Sequence, residues 1–224
     1  MREEAFRAQF TTNRQEVIQR FKREINLQSV VDKGIKRLEI PGMRPGIKQV
    51  IITMEEAAEL ETALINFYST PINMVRLLDA EGAGTEFIYG EYLNLVEELA
   101  DVDIGLIHIM SAFKLDTFVG SLTARCNPCG WSGHIGNELV RQYDINPQTF
   151  VNNACLLLEQ FIMASARFFR GKYSDDEYKG YVSRCWATLS GIRRVTRIPN
   201  EDMRVAEDIK WIRLHERNGS GSFL

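Results

Sequence analysis

A chain of 224 residues can bury a real core as one domain or two small ones. Hydrophobic residues make up 45% and charged residues 25%, an ordinary globular balance, and a net charge of −3 argues against a dedicated polyanion binder. The opening stretch MREEAFRAQF lacks the apolar core of a signal peptide, and no apolar run reaches membrane-spanning length, so a cytoplasmic protein with no membrane partner is expected. Cys126, Cys129, Cys155 and Cys185 are too few for a disulfide framework in a chain of this size and read as reduced thiols.

In chain order, residues 2–24 are charged and amphipathic, without Gly or Pro, and predict a helix. Two Pro-Gly-containing turns in EIPGMRPGIKQ then separate that segment from the next. From Ile47 to about Phe67, apolar residues at 47, 50, 51, 54, 58, 64 and 65 recur at helical spacing and predict a core-facing stripe. Ser69-Thr70-Pro71 closes that helix, and DAEGAGTEFIYG reads as a loop. The stretch EYLNLVEELADVDIGLIHIMSAF predicts a long, largely buried helix. Residues 120–148 are the least periodic part, rich in Gly and turn residues. Helical patterns resume at 149–170, at 177–195 behind a Ser174-x-x-Glu177 capping box, and at about 200–217 before a Gly/Ser tail. No segment alternates with a period of two, so the expected class is all-α, a helical bundle.

Two of these helices carry acids that a solvated face does not explain. Glu56 and Glu59 lie three apart on one apolar helix, and Glu98 and Asp101 repeat that spacing on another. Either pair alone would read as surface decoration. Facing each other in a bundle, the four would meet in a poorly solvated space, which is very unfavourable unless the charge is matched. Mg²⁺ satisfies such a cluster because hard divalent cations take carboxylate oxygens and retain water. Glu55, one turn from Glu59, is placed to bridge or to act on a bound water. Thr53-x-x-Glu56 also fits a capping box, but the stripe continues back to Ile47 and puts Thr53 in mid-helix.

EEAAE at 55–59, followed by ELAD at 98–101, resembles the E-E-x-x-E … E-x-x-D signature of the MazG-like all-α nucleoside triphosphate pyrophosphohydrolases, whose relatives include the dimeric-type dUTPases and dCTPases. The resemblance implies Mg²⁺-dependent cleavage of a nucleoside triphosphate to monophosphate and pyrophosphate, with Mn²⁺ as a substitute ion. It carries Glu56, Glu59, Glu98 and Asp101 over as metal ligands and Glu55 as a ligand or water-orienting catalytic group. It also implies no stable nucleic-acid binding and allows a homodimer. The 38 residues between Glu59 and Glu98 exceed the family's usual gap, which implies a loop insertion near 69–90. Two rivals stand beside this reading: a non-catalytic helical protein that binds nucleotides or partner helices, and a phosphoribosyl-ATP pyrophosphatase, whose chains are usually much shorter.

The C-terminal half resembles a second copy of the same helix plan with its acids removed. Gln160 falls where Glu59 sits, and Tyr181 and Arg184 fall where Glu98 and Asp101 sit. The expected organisation is therefore a catalytic half over 1–148, a degenerate half over 149–217 and a flexible tail over 218–224. Residues 166–217 hold 12 Lys and Arg against 8 Asp and Glu, and Lys210, Arg213 and Arg217 on the terminal helix are the expected phosphate contacts. Cys126-Asn-Pro-Cys129 with His134 begins like a zinc site, but no second C-x-x-C follows, so free thiols in a Gly-rich turn are the better reading. His108, two turns beyond Asp101, fits a satisfied core residue or a partner to the acids. Trp131, Trp186 and Trp211 fit either the core or a base-stacking role.

Overall fold

The computed structural model describes residues 27–69, 85–115 and 130–219, and every regular element among them is an α-helix. In chain order these are α1 (Leu27–Arg37), α2 (Ile47–Ser69), α3 (Thr85–Phe113), α4 (Gly130–Ile145), α5 (Pro147–Phe169), α6 (Asp175–Val195) and α7 (Asn200–Gly219). None of them is long and apolar enough to cross a membrane.

Local chemistry sets the helix ends. The Asn146 side chain accepts from the Gln148 N–H, and Pro147 occupies the first turn of α5, where its missing N–H costs nothing. Ser174 and Glu177 form the expected reciprocal capping box at α6. Gly171, at φ +68°, ends the preceding helix in the left-handed region that glycine tolerates best. Arg44 links the α1–α2 connection to the start of α6 through two 2.6 Å bonds to the Asp175 carboxylate, and its guanidinium lies 4.5 Å from the Phe113 ring centre.

Packing follows a crossed plan. α2 packs on α3, and α5 on α6; the two pairs meet through α2 against α5 and α3 against α6. α4, which follows α3 in sequence, packs on α5 and α6, whereas α7, which follows α6, packs on α3 and α1. Most buried apolar residues form one core running from α2 into α7, and Val30, Val31, Ile104 and Trp211 form a smaller one joining α1, α3 and α7.

The two pairs share a burial register. With Gln160 laid on Glu59, a shift of 101 residues, buried Gln49, Val50, Thr53, Ala57, Leu60, Ala63, Leu64 and Phe67 fall on buried Phe150, Val151, Ala154, Leu158, Phe161, Ala164, Ser165 and Phe168. With Tyr181 laid on Glu98, a shift of 83, buried Leu95, Leu99, Val102, Leu106 and Ile109 fall on buried Tyr178, Val182, Cys185, Leu189 and Ile192.

Several sequence expectations need correcting. Residues 130–145, expected to be irregular, form α4, whose Gly136 backs closely onto Gly191 of α6. Gly136, which reads as a turn signal in the sequence, is a packing surface in the fold. α3 begins at Thr85, inside the stretch read as a loop, and α1 was not foreseen. α7 runs to Gly219, into the expected tail. On α2 the buried stripe passes through Thr53, Ala57, Leu60 and Phe67, so Ala58 is exposed and Ile65 is 42% exposed. The helix expected at 2–24, residues 70–84 of the loop insertion expected near 69–90, Cys126, Cys129, the side chain of Trp131 and the tail beyond 219 lie outside the described residues. Cys155 and Cys185 are buried free thiols.

Candidate metal centre

A close helix crossing positions the acids. Thr53 is buried in mid-helix and donates to the Gln49 carbonyl at 2.8 Å. A Cβ on Gly105 would fall 2.5 Å from Thr53 Oγ1, so only a glycine lets α2 and α3 approach this closely without displacement. Thr53 lies one turn before Glu56 and Gly105 one turn after Asp101, so that approach directs the two acids toward each other.

Glu56, Glu98 and Asp101 each offer a carboxylate oxygen, and these oxygens lie within 4.8 Å of one another. All three residues are partly buried, and Glu98 Oε2 is buried without a hydrogen-bond partner. Burial raises the Glu56 carboxyl to about 7, and repulsion from Asp101, Glu59 and Glu98 adds to it. Glu98 is likewise pushed to about 7, by burial first and then by Asp101 and Glu59. Asp101 is raised by burial, against the opposing hydrogen bond from Lys210.

The remaining expected residues divide. Glu59 is exposed and stands outside the close trio, although Glu56 and Glu98 both feel its charge. Glu55 is exposed on the same helix. Lys210 of α7 donates directly to Asp101 Oδ2 and is therefore engaged with an expected metal ligand. Arg213 and Arg217 are exposed on the wall of a cleft of about 270 Å³ that also takes in Glu56, Asp101 and Lys210.

Sequence reasoning missed α1. Gly34 and Arg37 line that cleft, with Arg37 Nη1 donating to Asn218 Oδ1 at 3.3 Å and Asn218 Nδ2 donating to the Val30 carbonyl at 3.3 Å. Only the basic Lys36-Arg37 end of a short segment signals this in the sequence. His108 is a core residue: it is 3% exposed, stacks on Trp211 at 5.5 Å, and its Nδ1 lies 2.9 Å from the Ile104 carbonyl. That contact makes Nδ1 the protonated nitrogen, and burial lowers the pKa, so the ring is neutral. Trp211 is buried in the smaller core and Trp186 packs against the larger. His134 is exposed on α4.

Three converging carboxylates, one with a buried unpaired oxygen, fit a hard divalent cation, whose ligands are oxygens and whose charge offsets their repulsion. The class defined here is an all-α bundle with a carboxylate cluster between two of its helices. Compared with known proteins, the chain matches no family model, no curated protein and no solved structure.

Proposed function

We propose that this protein is a Mg²⁺-dependent nucleoside triphosphate pyrophosphohydrolase that releases pyrophosphate and leaves the monophosphate. The observation that carries the reading is the meeting of Glu56, Glu98 and Asp101 from the two helices that bear the signature, with one oxygen buried and unpaired. These three side chains would hold the ion, and Glu59 at the edge would complete its ligand set. Mn²⁺ would serve as a substitute. Bound there, the ion supplies charge neutralisation for the phosphates and a more acidic water. Glu55 orients the attacking water and accepts its proton. Lys210, Arg213 and Arg217, which line the same cleft, hold the polyphosphate by charge-assisted contacts.

The same reading makes residues 149–217 a degenerate copy of the acid-bearing half, one that completes the bundle without a second centre. The shared burial register and the crossed packing of α4 and α7 support it. A second reading, a non-catalytic nucleotide-binding or interaction protein, draws on one observation: Lys210 already neutralises Asp101. The test is pyrophosphate release from each common dNTP and NTP with Mg²⁺ or Mn²⁺. Turnover of one or a few substrates is expected. No release from any of them with either ion leaves the non-catalytic reading standing.

A further inference from the structure

Lys210 sits where a cation belongs. Its ammonium donates to Asp101, and the two side chains are only 21% and 19% exposed. Its charge opposes the upward shifts of Glu56, Glu98 and Asp101 alike. Yet it comes from α7, on the wall expected to hold phosphate, along with Arg213 and Arg217. One ammonium cannot remain on Asp101 while that carboxylate ligates a divalent ion, because two cations a few ångströms apart repel in a poorly solvated site.

The geometry points to Lys210 as a displaceable counter-ion that couples metal binding to polyphosphate binding, an inference that rests on the metal reading above. In the free protein, Lys210 neutralises Asp101. An entering Mg²⁺ or Mn²⁺ takes over Asp101 and expels the ammonium. The flexible four-carbon stem lets Lys210 swing along the cleft. Apart from Glu56 and Asp101, which the ion would hold, the charged side chains lining the cleft are Arg37, Arg213 and Arg217, all cations, so the expelled Lys210 gains a charged partner there only when an anion enters. Metal alone must expel Lys210 with nothing to receive it. Polyphosphate alone must compete with Asp101 for it. Together each removes the other's cost, and the coupling is reciprocal by thermodynamic necessity.

The experiment is Mn²⁺ titration by calorimetry, with and without inorganic pyrophosphate, at matched free-ion concentrations. Wild type is compared with Lys210→Met and, in case that variant does not fold, with Lys210→Gln. Wild type should bind Mn²⁺ weakly alone and about tenfold more tightly with pyrophosphate, within the usual range of site-to-site coupling. The variants should bind Mn²⁺ about tenfold more tightly than wild type without pyrophosphate, and pyrophosphate should add little. Lys210→Arg, which keeps the charge, should behave more like wild type. Saturable binding that is equal in wild type and variants overturns the exchange but spares the metal centre. Absence of saturable Mn²⁺ binding in every protein overturns the metal reading and the exchange with it.

Discussion

The α2–α3 pair and the α5–α6 pair bury corresponding positions, yet the surfaces they present differ in kind. Glu56, Glu59, Glu98 and Asp101 on the first pair correspond to Leu157, Gln160, Tyr181 and Arg184 on the second. On the first, two carboxyls are held near 7 and a buried oxygen lacks a partner. On the second, Tyr181 stacks on Tyr173 at 5.5 Å, the Arg184 guanidinium lies 5.5 Å from the Tyr181 ring centre, and Ser165 and Tyr178 share a buried 2.8 Å hydrogen bond. The second pair shows that this helix arrangement needs no acids to pack. The carboxylates of the first are therefore a cost to the free protein, consistent with a site kept for binding rather than for folding.

The comparison breaks most completely if the halves are separated. A 1–148 fragment strips the buried faces of α2 and α3 of their α5 and α6 partners and leaves α4 without the helices it packs on. It should give no cooperative melting transition by circular dichroism. A soluble, cooperatively folding fragment would show that the second pair is dispensable.

Next in size is the chemistry. Glu98→Gln and Asp101→Asn should each lower pyrophosphate release by about two to three powers of ten, the scale of losing an electrostatic group at a reacting centre. The positional counterparts Tyr181→Phe and Arg184→Ala should leave turnover within about twofold, since neither belongs to the carboxylate cluster. Equal losses on both pairs would remove the functional distinction between them.

The helix crossing offers a smaller effect. Gly105→Ala should destabilise by about 1–3 kcal/mol in chemical denaturation, because its Cβ would meet Thr53 Oγ1 at 2.5 Å. Adding Thr53→Ala should recover most of that loss. The second pair has Thr188 and Ala154 at these positions, the bulky and small residues exchanged.

The mildest effect is on pH. Glu56 and Glu98 titrate near 7 in the folded protein, above their ordinary 4.5, so the native state binds more protons than the unfolded chain in that interval. Their contribution to stability is complete below about 4.5 and is lost as pH rises through about 7. The melting temperature of metal-free protein should fall across that window. Glu98→Gln should flatten the fall, and saturating Mg²⁺ should reverse it by binding the ionised native state. A profile unchanged by Glu98→Gln would mean that this carboxyl carries no linked proton.

The all-α class, five of the seven helices among the described residues and the identity of the close acids were legible in the amino-acid sequence, because helical periodicity and i, i+3 spacing are local properties. Glu56, Glu98 and Asp101 could be singled out because acids on apolar helix faces contradict their surroundings. What local pattern could not reveal depends on which surface meets which. α4 escaped because its Gly136 is there for contact with Gly191, a partner distant in sequence. α1 escaped because its buried Val30 and Val31 acquire a core only from Ile104 and Trp211. The identical spacing of Glu56 and Glu59 gave no hint that the first turns into the cluster and the second to solvent, a choice made by the rotation of α2 as it packs on α3 and α5. Lys210 could be assigned a sign from sequence, but its partner could not, since only the packing of α7 on α3 brings that ammonium to Asp101.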